Sequence, residues 1–242
     1  MEAKKSLGQN FFINKNLGKY ISTLIEQLDC ESVIEIGPGK GFFTELLIDN
    51  FKDITVIEKD AELAKELKIQ YPNIAIINDD FLDIDLDSLV TKDCCFFGSL
   101  PFNVSKPIIR KIIQSKSFKK QSLFIVQKEV AEKYLYNPPY SVLSLTTAIY
   151  AKCKKILDIS PDSFRPKPNV TSSLISFSPI ERGLPNTKLL EQLIQASFQK
   201  PRKNLKNNLK GSIFEQAGKD FFELRPAQIS LEEYIKIYEY FL

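Results

Sequence analysis

The chain has 242 residues, of which 43% are hydrophobic and 26% are charged, and its formal net charge is +3. These values predict a soluble globular protein, and an N-terminus without the apolar core of a signal peptide predicts a cytoplasmic one with no membrane segment. The sequence has no His and no C-x-x-C pair among its four Cys, which excludes imidazole catalysis and predicts no metal site.

The first half of the chain predicts a helix and then alternating strands and helices. Apolar residues at helical spacing indicate the first helix: Ile13, Leu17, Ile21, Leu24, Ile25 and Leu28. Short β-branched or aromatic runs indicate strands at 33–36, 54–58, 74–77 and 94–97, with helices at 41–49 and 60–70. Runs at 122–126 and 173–177 can extend the sheet. Such alternation predicts an α/β fold with a parallel sheet covered by helices on both faces.

The last part of the chain predicts a small helical domain. Strand signals stop after a plausible linker at 179–185, and the following segments 189–198, 202–209 and 230–242 have helical patterns. The last of these begins with Ser230-x-x-Glu233, which is a capping box. We therefore predict an α/β domain over residues 1–180 and an all-helical domain over residues 184–242.

The positive charge is concentrated in two segments. Residues 196–210 carry +5 and residues 1–20 carry +3, so the rest of the chain carries −5. On a helix, Arg202, Lys206 and Lys210 would be spaced by four, with Lys203 beside them and Lys200 just before. We expect these five residues to bind RNA, although a merely solvated face is the alternative.

A glycine-rich turn follows the first predicted strand of the sheet. Gly37, Gly39 and Gly41 form G-x-G-x-G, and Phe42 stands where the dinucleotide fingerprint requires a third glycine. Glu58 ends the next strand, where its carboxylate can accept hydrogen bonds from both hydroxyls of a ribose. The alternative is a tight turn and a carboxylate that only starts a helix.

Two further segments follow the third and fourth predicted strands. Asp80 can accept from the amino group of an adenine, or can serve only as a helix cap or turn residue. Ser99-Leu100-Pro101-Phe102 fits the pattern of Asp, Asn or Ser, any residue, Pro and an aromatic that amino-group methyltransferases use. There the Ser99 hydroxyl and the Leu100 carbonyl can accept from a base that stacks on Phe102. The alternative is an ordinary turn at the end of a strand.

The chain resembles bacterial ribosomal RNA small-subunit adenine dimethyltransferases almost from end to end. Seven ordered blocks carry the resemblance: GQNFF at 8–12, EIGPG at 35–39, VIE at 56–58, SLPFN at 99–103, FIVQKEVAE at 124–132, SFRPKPNVTS at 163–172 and RKNLKN at 202–207. Four features depart from the family pattern: Ser99 replaces Asn, Phe102 replaces Tyr, the segment 134–141 is shorter than usual, and the helical appendage is short.

The resemblance implies a Rossmann-like class I S-adenosylmethionine-dependent methyltransferase with a small C-terminal all-helical domain. It implies that the cofactor is held by Asn10, Phe12, Gly37, Gly39, Glu58, Asp80 and Ser99. Ser99, Leu100, Pro101 and Phe102 are then the catalytic residues. The implied reaction is dimethylation of two adjacent adenosines near the 3′ end of 16S rRNA by a monomeric enzyme without a metal. Two alternatives remain open, namely a 23S rRNA methylase of the antibiotic-resistance type and a non-catalytic RNA-binding assembly factor.

Overall fold

The computed structural model describes residues 9–90, 93–101 and 103–242. The strands are β1 (Phe11–Phe12), β2 (Ser32–Ile36), β3 (Ile54–Ile57), β4 (Ala75–Ile77), β5 (Cys94–Ser99), β6 (Ser122–Gln127), β7 (Ala151–Ile159), β8 (Phe164–Arg165) and β9 (Ser172–Pro179). The first six helices are α1 (Lys15–Glu26), α2 (Phe42–Leu47), α3 (Ala61–Gln70), α4 (Leu86–Leu89), α5 (Ser105–Gln114) and α6 (Lys128–Tyr134). The remaining four are α7 (Val142–Tyr150), α8 (Thr187–Ser197), α9 (Leu205–Leu209) and α10 (Leu231–Glu239).

Seven strands form one sheet in the order β4-β3-β2-β5-β6-β9-β7. Strands β2 to β6 pair in parallel, whereas β9 pairs with β6 in the antiparallel direction. The α/β fold predicted from alternation is confirmed. Strand β2 lies between β3 and β5. The chain therefore runs from β2 towards one edge of the sheet through β3 and β4, and then returns past β2 to β5 and continues towards the other edge. In open parallel sheets, ligands bind at the carboxyl ends of the strands beside such a switch in strand order.

The chain divides into two compact units. One comprises the described residues up to Glu132 together with Lys154–Pro179, and the other comprises Lys133–Cys153 and Ile180–Leu242. This differs from the predicted division near residue 180, because the apolar side of α7 belongs to the core of the helical unit. Leu145 and Ile149 are buried there in one cluster with residues of α8 and α10. Across the described parts of the chain, no helix combines the length and apolarity needed to cross a membrane.

Helix ends follow local side-chain chemistry. Asp60 caps α3 by accepting from the Glu62 N–H, and Ser230 and Glu233 form the predicted capping box of α10. The helix predicted over residues 202–209 starts later, at Leu205, because the side chain of Asn204 accepts from the Asn207 N–H and caps it there.

Glu35 is a buried carboxyl group in the centre of the sheet. It is 2% exposed, and its Oε2 accepts a hydrogen bond of 2.6 Å from the Thr44 hydroxyl. Burial raises the pKa of Glu35 from 4.5 to about 7, with a smaller contribution from the negative charge of Glu58. The folded protein therefore favours the protonated form of this side chain.

The raised pKa of Glu35 predicts a pH-dependent stability. A group whose pKa is higher in the folded state stabilises fully below its unfolded pKa, here 4.5, and this contribution is lost as the pH rises through about 7. We expect the free energy of unfolding of the parent, relative to Glu35→Gln, to fall by roughly 2 to 3 kcal/mol between pH 5 and pH 8. Urea unfolding of both proteins at several pH values measures this, and a constant difference would contradict the burial argument.

Candidate active site

A cavity of ≈ 200 Å³ lies at the carboxyl ends of β2, β3, β4 and β5. Residues at or just after the end of each strand line it: 36, 37 and 39 at β2, 57–59 at β3, 79–81 at β4 and 99–101 at β5. This is the position that the switch in strand order predicts for a ligand. The cavity contains eight of the ten predicted catalytic and cofactor-binding residues: Asn10, Gly37, Gly39, Glu58, Asp80, Ser99, Leu100 and Pro101.

The glycine turn gives the cavity an open backbone wall. Gly37 has φ +65° and Gly39 has φ +59°, a left-handed conformation that other residues rarely adopt. A Cβ on Gly37 would meet nothing within 4 Å, so its main chain is accessible to a ligand. A Cβ on Gly39 would lie 2.9 Å from the ring of Phe11, so this glycine is required for the N-terminal segment to pack on the turn.

Glu58 connects two of the loops that line the cavity. Its Oε2 accepts from the Gly39 N–H at 3.1 Å, and its Oε1 accepts from the Asp60 N–H at 2.8 Å. Burial raises the pKa of Glu58, and these two hydrogen bonds act in the opposite direction. Each carboxylate oxygen has two lone pairs, so acceptor capacity remains for a ligand.

Asp80 is fixed by its neighbours. Its Oδ2 lies 2.6 Å from the Lys59 ammonium, and its Oδ1 accepts from the Leu82 N–H at 3.0 Å. The hydrogen bond from Lys59 lowers the pKa of Asp80, which keeps this carboxylate ionised. Asn78 donates to the carbonyl oxygen of Glu58 at 2.9 Å and so joins the end of β4 to the end of β3. Sequence reasoning assigned no role to Lys59 or to Asn78.

Ser99 and Leu100 present oxygen atoms at the end of β5. Leu100 is held by a hydrogen bond of 3.0 Å from its N–H to the Ile125 carbonyl, and the Pro101 carbonyl accepts from the Ser105 N–H, which starts α5. Among the residues that the structure describes, none is hydrogen-bonded to the Ser99 hydroxyl. Phe102, the predicted stacking residue, lies outside the described residues.

The N-terminal segment lines the cavity through a short strand pair. Strand β1 pairs with β8 in the antiparallel direction, with Phe12 opposite Phe164. Phe11 lines the cavity, whereas Phe12 is 5% exposed and does not line it, because its ring packs against those of Phe42, Phe43 and Phe164. Phe12, which the resemblance implies as a cofactor contact, therefore does not line the cavity, whereas its neighbour Phe11 does.

Several lining residues carried no prediction. They include Gln9, Phe11, Lys59, Asn103, Phe164, Pro168 and Ser172. Phe164, Pro168 and Ser172 come from the SFRPKPNVTS block, which the resemblance identified without giving these residues a role. The β1–β8 pair and the β6–β9 pair bring that block to the cavity.

The predicted RNA-binding cations lie in the helical unit and are all exposed: Lys200, Arg202, Lys203, Lys206 and Lys210. They do not form one helical stripe, since α9 contains only Lys206 and the first three precede it. A buried side chain, Asn208, orders this turn. Its Oδ1 accepts from the Lys200 N–H at 2.7 Å, and its Nδ2 lies 3.1 Å from the Lys200 carbonyl oxygen and 3.2 Å from that of Lys203.

Two bacterial relatives align with nearly the whole chain. Ribosomal RNA small subunit methyltransferase A of Pelagibacter ubique is 37% identical over an alignment that covers 98% of this chain and 96% of the relative. The protein of the same name from Malacoplasma penetrans is 34% identical over an alignment that covers 97% of this chain and 90% of the relative.

Solved structures share the fold. A dimethyladenosine transferase from Plasmodium falciparum has a TM-score of 0.83 at 21% identity and covers 96% of this chain and 97% of its own. The 23S rRNA methyltransferase ErmE has a TM-score of 0.74 at 21% identity, with 95% and 98% covered. At this identity these two likenesses establish the fold alone.

A family model described as Ribosomal RNA adenine dimethylase matches residues 1–241. Both this match and the two relatives extend through the α/β unit and the helical unit. The resemblance read from seven sequence blocks is therefore confirmed, and the chain belongs to the ribosomal RNA adenine dimethylase family.

Proposed function

We propose that this chain dimethylates the exocyclic amino groups of two adjacent adenosines near the 3′ end of 16S rRNA in the small ribosomal subunit, with S-adenosylmethionine as methyl donor. One observation carries this proposal. A single cavity at the switch in strand order holds both a carboxylate suited to a ribose, Glu58, and an acceptor pair suited to an adenine amino group, Ser99 and Leu100.

The residues of the cavity fit the methyl donor by chemical type. Glu58 has acceptor capacity for the two ribose hydroxyls, and Asp80 is an ionised acceptor for the adenine amino group. The open main chain at Gly37 leaves room for the amino-acid part. S-adenosylmethionine, when bound, supplies an electrophilic methyl group on its sulfonium. Both carboxylates favour a cationic ligand electrostatically.

The target amino group needs positioning more than it needs a base. Its lone pair is delocalised into the adenine ring, so it is a weak nucleophile. The Ser99 hydroxyl and the Leu100 carbonyl accept its two N–H groups, hold them out of the ring plane and so free the lone pair. The methylated nitrogen is positively charged and loses its proton readily, which suits a chain without His. Catalysis then consists of orientation and electrostatic stabilisation.

The rest of the proposal concerns the setting of the reaction. The exposed cations of residues 200–210 bind rRNA in the small subunit, and the chain acts as a cytoplasmic monomer. The reaction is tested by incubating the purified protein with small subunits from a strain that lacks this modification. Transfer of labelled methyl groups to these subunits is then measured. Exclusive transfer to large subunits would instead favour the 23S alternative, and absence of transfer to either would favour the assembly factor.

Glu58→Gln tests the ribose contact. The substitution keeps the side-chain size but replaces one acceptor oxygen by an amide that faces a backbone N–H donor. We expect affinity for S-adenosylmethionine to fall by roughly 1.5 to 3 kcal/mol, the usual range for hydrogen bonds to a charged group. Calorimetry measures this, with Glu66→Gln on the exposed side of α3 as the control. Unchanged affinity in a folded Glu58→Gln protein would remove Glu58 from the site.

Ser99→Ala tests the acceptor role at the end of β5. Loss of one acceptor of two should slow methyl transfer about ten- to thirty-fold, equivalent to roughly 1.4 to 2 kcal/mol. Monomethyl product should accumulate, because the second transfer orients an amine with only one remaining N–H. Single-turnover assays that resolve mono- from dimethyladenosine measure both effects. Ser32→Ala, at the opposite end of the parallel strands, is the control. A Ser99→Ala protein as fast as the parent would show Ser99 to be a turn residue only.

The basic cluster of the helical unit is tested by replacing Lys203, Lys206 and Lys210 with Gln. Loss of three phosphate contacts should weaken binding to small subunits and flatten its dependence on log salt by roughly two to three units. Affinity for S-adenosylmethionine should not change. The matched control replaces three other exposed lysines of the same unit, Lys188, Lys219 and Lys236. If both triple variants show the parent's salt dependence, the cluster does not contact RNA.

A further inference from the structure

A third cationic segment surrounds helix α5. No acidic residue occurs between Asp93 and Glu129, and residues 103–120 carry six cations: Lys106, Arg110, Lys111, Lys116, Lys119 and Lys120. This segment, at +6, exceeds the +5 of residues 196–210. Since the whole chain is +3 and these two segments together carry +11, the rest of the chain carries −8.

Two of these cations are used inside the fold. The Lys111 ammonium donates to the carbonyl oxygens of Phe81 and Leu82, the first at 3.0 Å. Lys120 lies 3.0 Å from a carboxylate oxygen of Asp29 and 3.4 Å from one of Asp93. The candidate surface is instead the exposed face of α5.

Helix α5 separates an apolar face from a cationic one. Its buried face contains Ile108, Ile109, Ile112 and Ile113. Its exposed face presents Lys106, Arg110 and Gln114, which are four residues apart and so lie along one line of the helix surface. The Arg110 Nε lies 3.4 Å from Gln114 Oε1, a neutral partner. Lys106 has no ion pair with any described residue.

The cationic face begins beside the cavity. Asn103, Val104 and Ile108 line the cavity, and Lys106 lies in the first turn of α5 between Val104, the N-cap, and Ile108. Arg110 follows about 6 Å further along the helix axis, from the rise of an α-helix. A nucleotide whose base enters the cavity must keep its own phosphates and those of its neighbours outside, near these side chains.

We propose that Lys106 and Arg110 bind the phosphate backbone of the RNA strand that carries the target adenosine, next to the nucleotide that enters the cavity. The inference rests on the proposed function and adds a contact surface on the α/β unit itself. Phosphate fits this surface because the exposed line carries positive charge without an apolar anchor, which protein partners usually require.

The test compares the parent with K106Q/R110Q. A phosphate contact on a single strand contributes about 0.7 to the slope of log affinity against log salt, so two lost contacts flatten it by about 1.4. At 100 mM salt, one log unit below a 1 M reference, this difference in slope corresponds to roughly 25-fold weaker RNA binding. We expect KM for small subunits to rise by a similar factor, with kcat unchanged. Affinity for S-adenosylmethionine and the urea midpoint should stay at parent values, because both side chains are exposed.

The matched control is K65Q/K68Q, which removes the same charge from exposed positions of α3 in the same unit. Equal effects in the two variants would overturn the proposal, since they would reflect general attraction only. Loss of cofactor affinity in K106Q/R110Q would also overturn it, by showing a structural role. Weaker binding to intact subunits with unchanged binding to a short 16S fragment containing both adenosines would assign the surface to a ribosomal protein.

Failure of the proposed function gives a different result. A parent that transfers no methyl group to small subunits would refute the reaction itself, whatever the variant does. An active parent with an equally active K106Q/R110Q variant, of unchanged KM and salt slope, would refute only the role of α5.

Discussion

The carboxylate of Glu58 holds together the loops that make the cavity. One oxygen accepts from the Gly39 N–H after β2, and the other accepts from the Asp60 N–H at the start of α3. Asn78 adds the end of β4 through the Glu58 carbonyl. Three neighbouring loops are thus linked through one residue, whose carboxylate lines the cavity and retains acceptor capacity. The shape of the cavity is preorganised by the same group that we propose recognises the ribose.

This arrangement has a cost in stability. Two carboxyl groups, Glu35 and Glu58, are buried near one another, burial raises the pKa of both, and the charge of Glu58 raises that of Glu35 further. Functional sites often retain such unfavourable groups because activity needs them. A positively charged ligand in the cavity offsets the repulsion, so binding and folding stability are coupled.

The sequence was most informative where strands are buried on both sides. Strands β2, β3 and β5 were predictable because buried parallel strands are short, nearly continuous apolar runs. Strand β7 was not, because it is an edge strand and Lys152, Lys154 and Lys155 interrupt its apolar pattern. The boundary of the helical unit was misplaced for a related reason. Helix α7 carries no charged residue and is buried or half-buried throughout, so its sequence does not show which core it joins.

Some site residues could likewise be predicted from the sequence, and others could not. Glu58, Asp80 and Ser99 follow predicted strands, so their convergence at one edge followed from the topology of a parallel sheet. Adjacent side chains of a strand point to opposite faces, and sequence alone could not tell which of Phe11 and Phe12 faces the cavity. The start of α9 depended on the cap at Asn204, which competes with the helical pattern of residues 202–209.

The side chain of Asn208 orders the backbone of the basic turn, residues 200–204, before any polyanion binds. Its amide fixes the backbone of residues 200–204 through contacts with Lys200, Lys203 and Asn204. Ordering a residue's backbone costs about 1 to 2 kcal/mol, and here that cost is met during folding. Association then restricts only the Lys and Arg side-chain rotamers. In the RNA contact that we propose, the turn thus offers an ordered backbone with exposed charged side chains, which can adjust to an irregular nucleic-acid backbone without refolding.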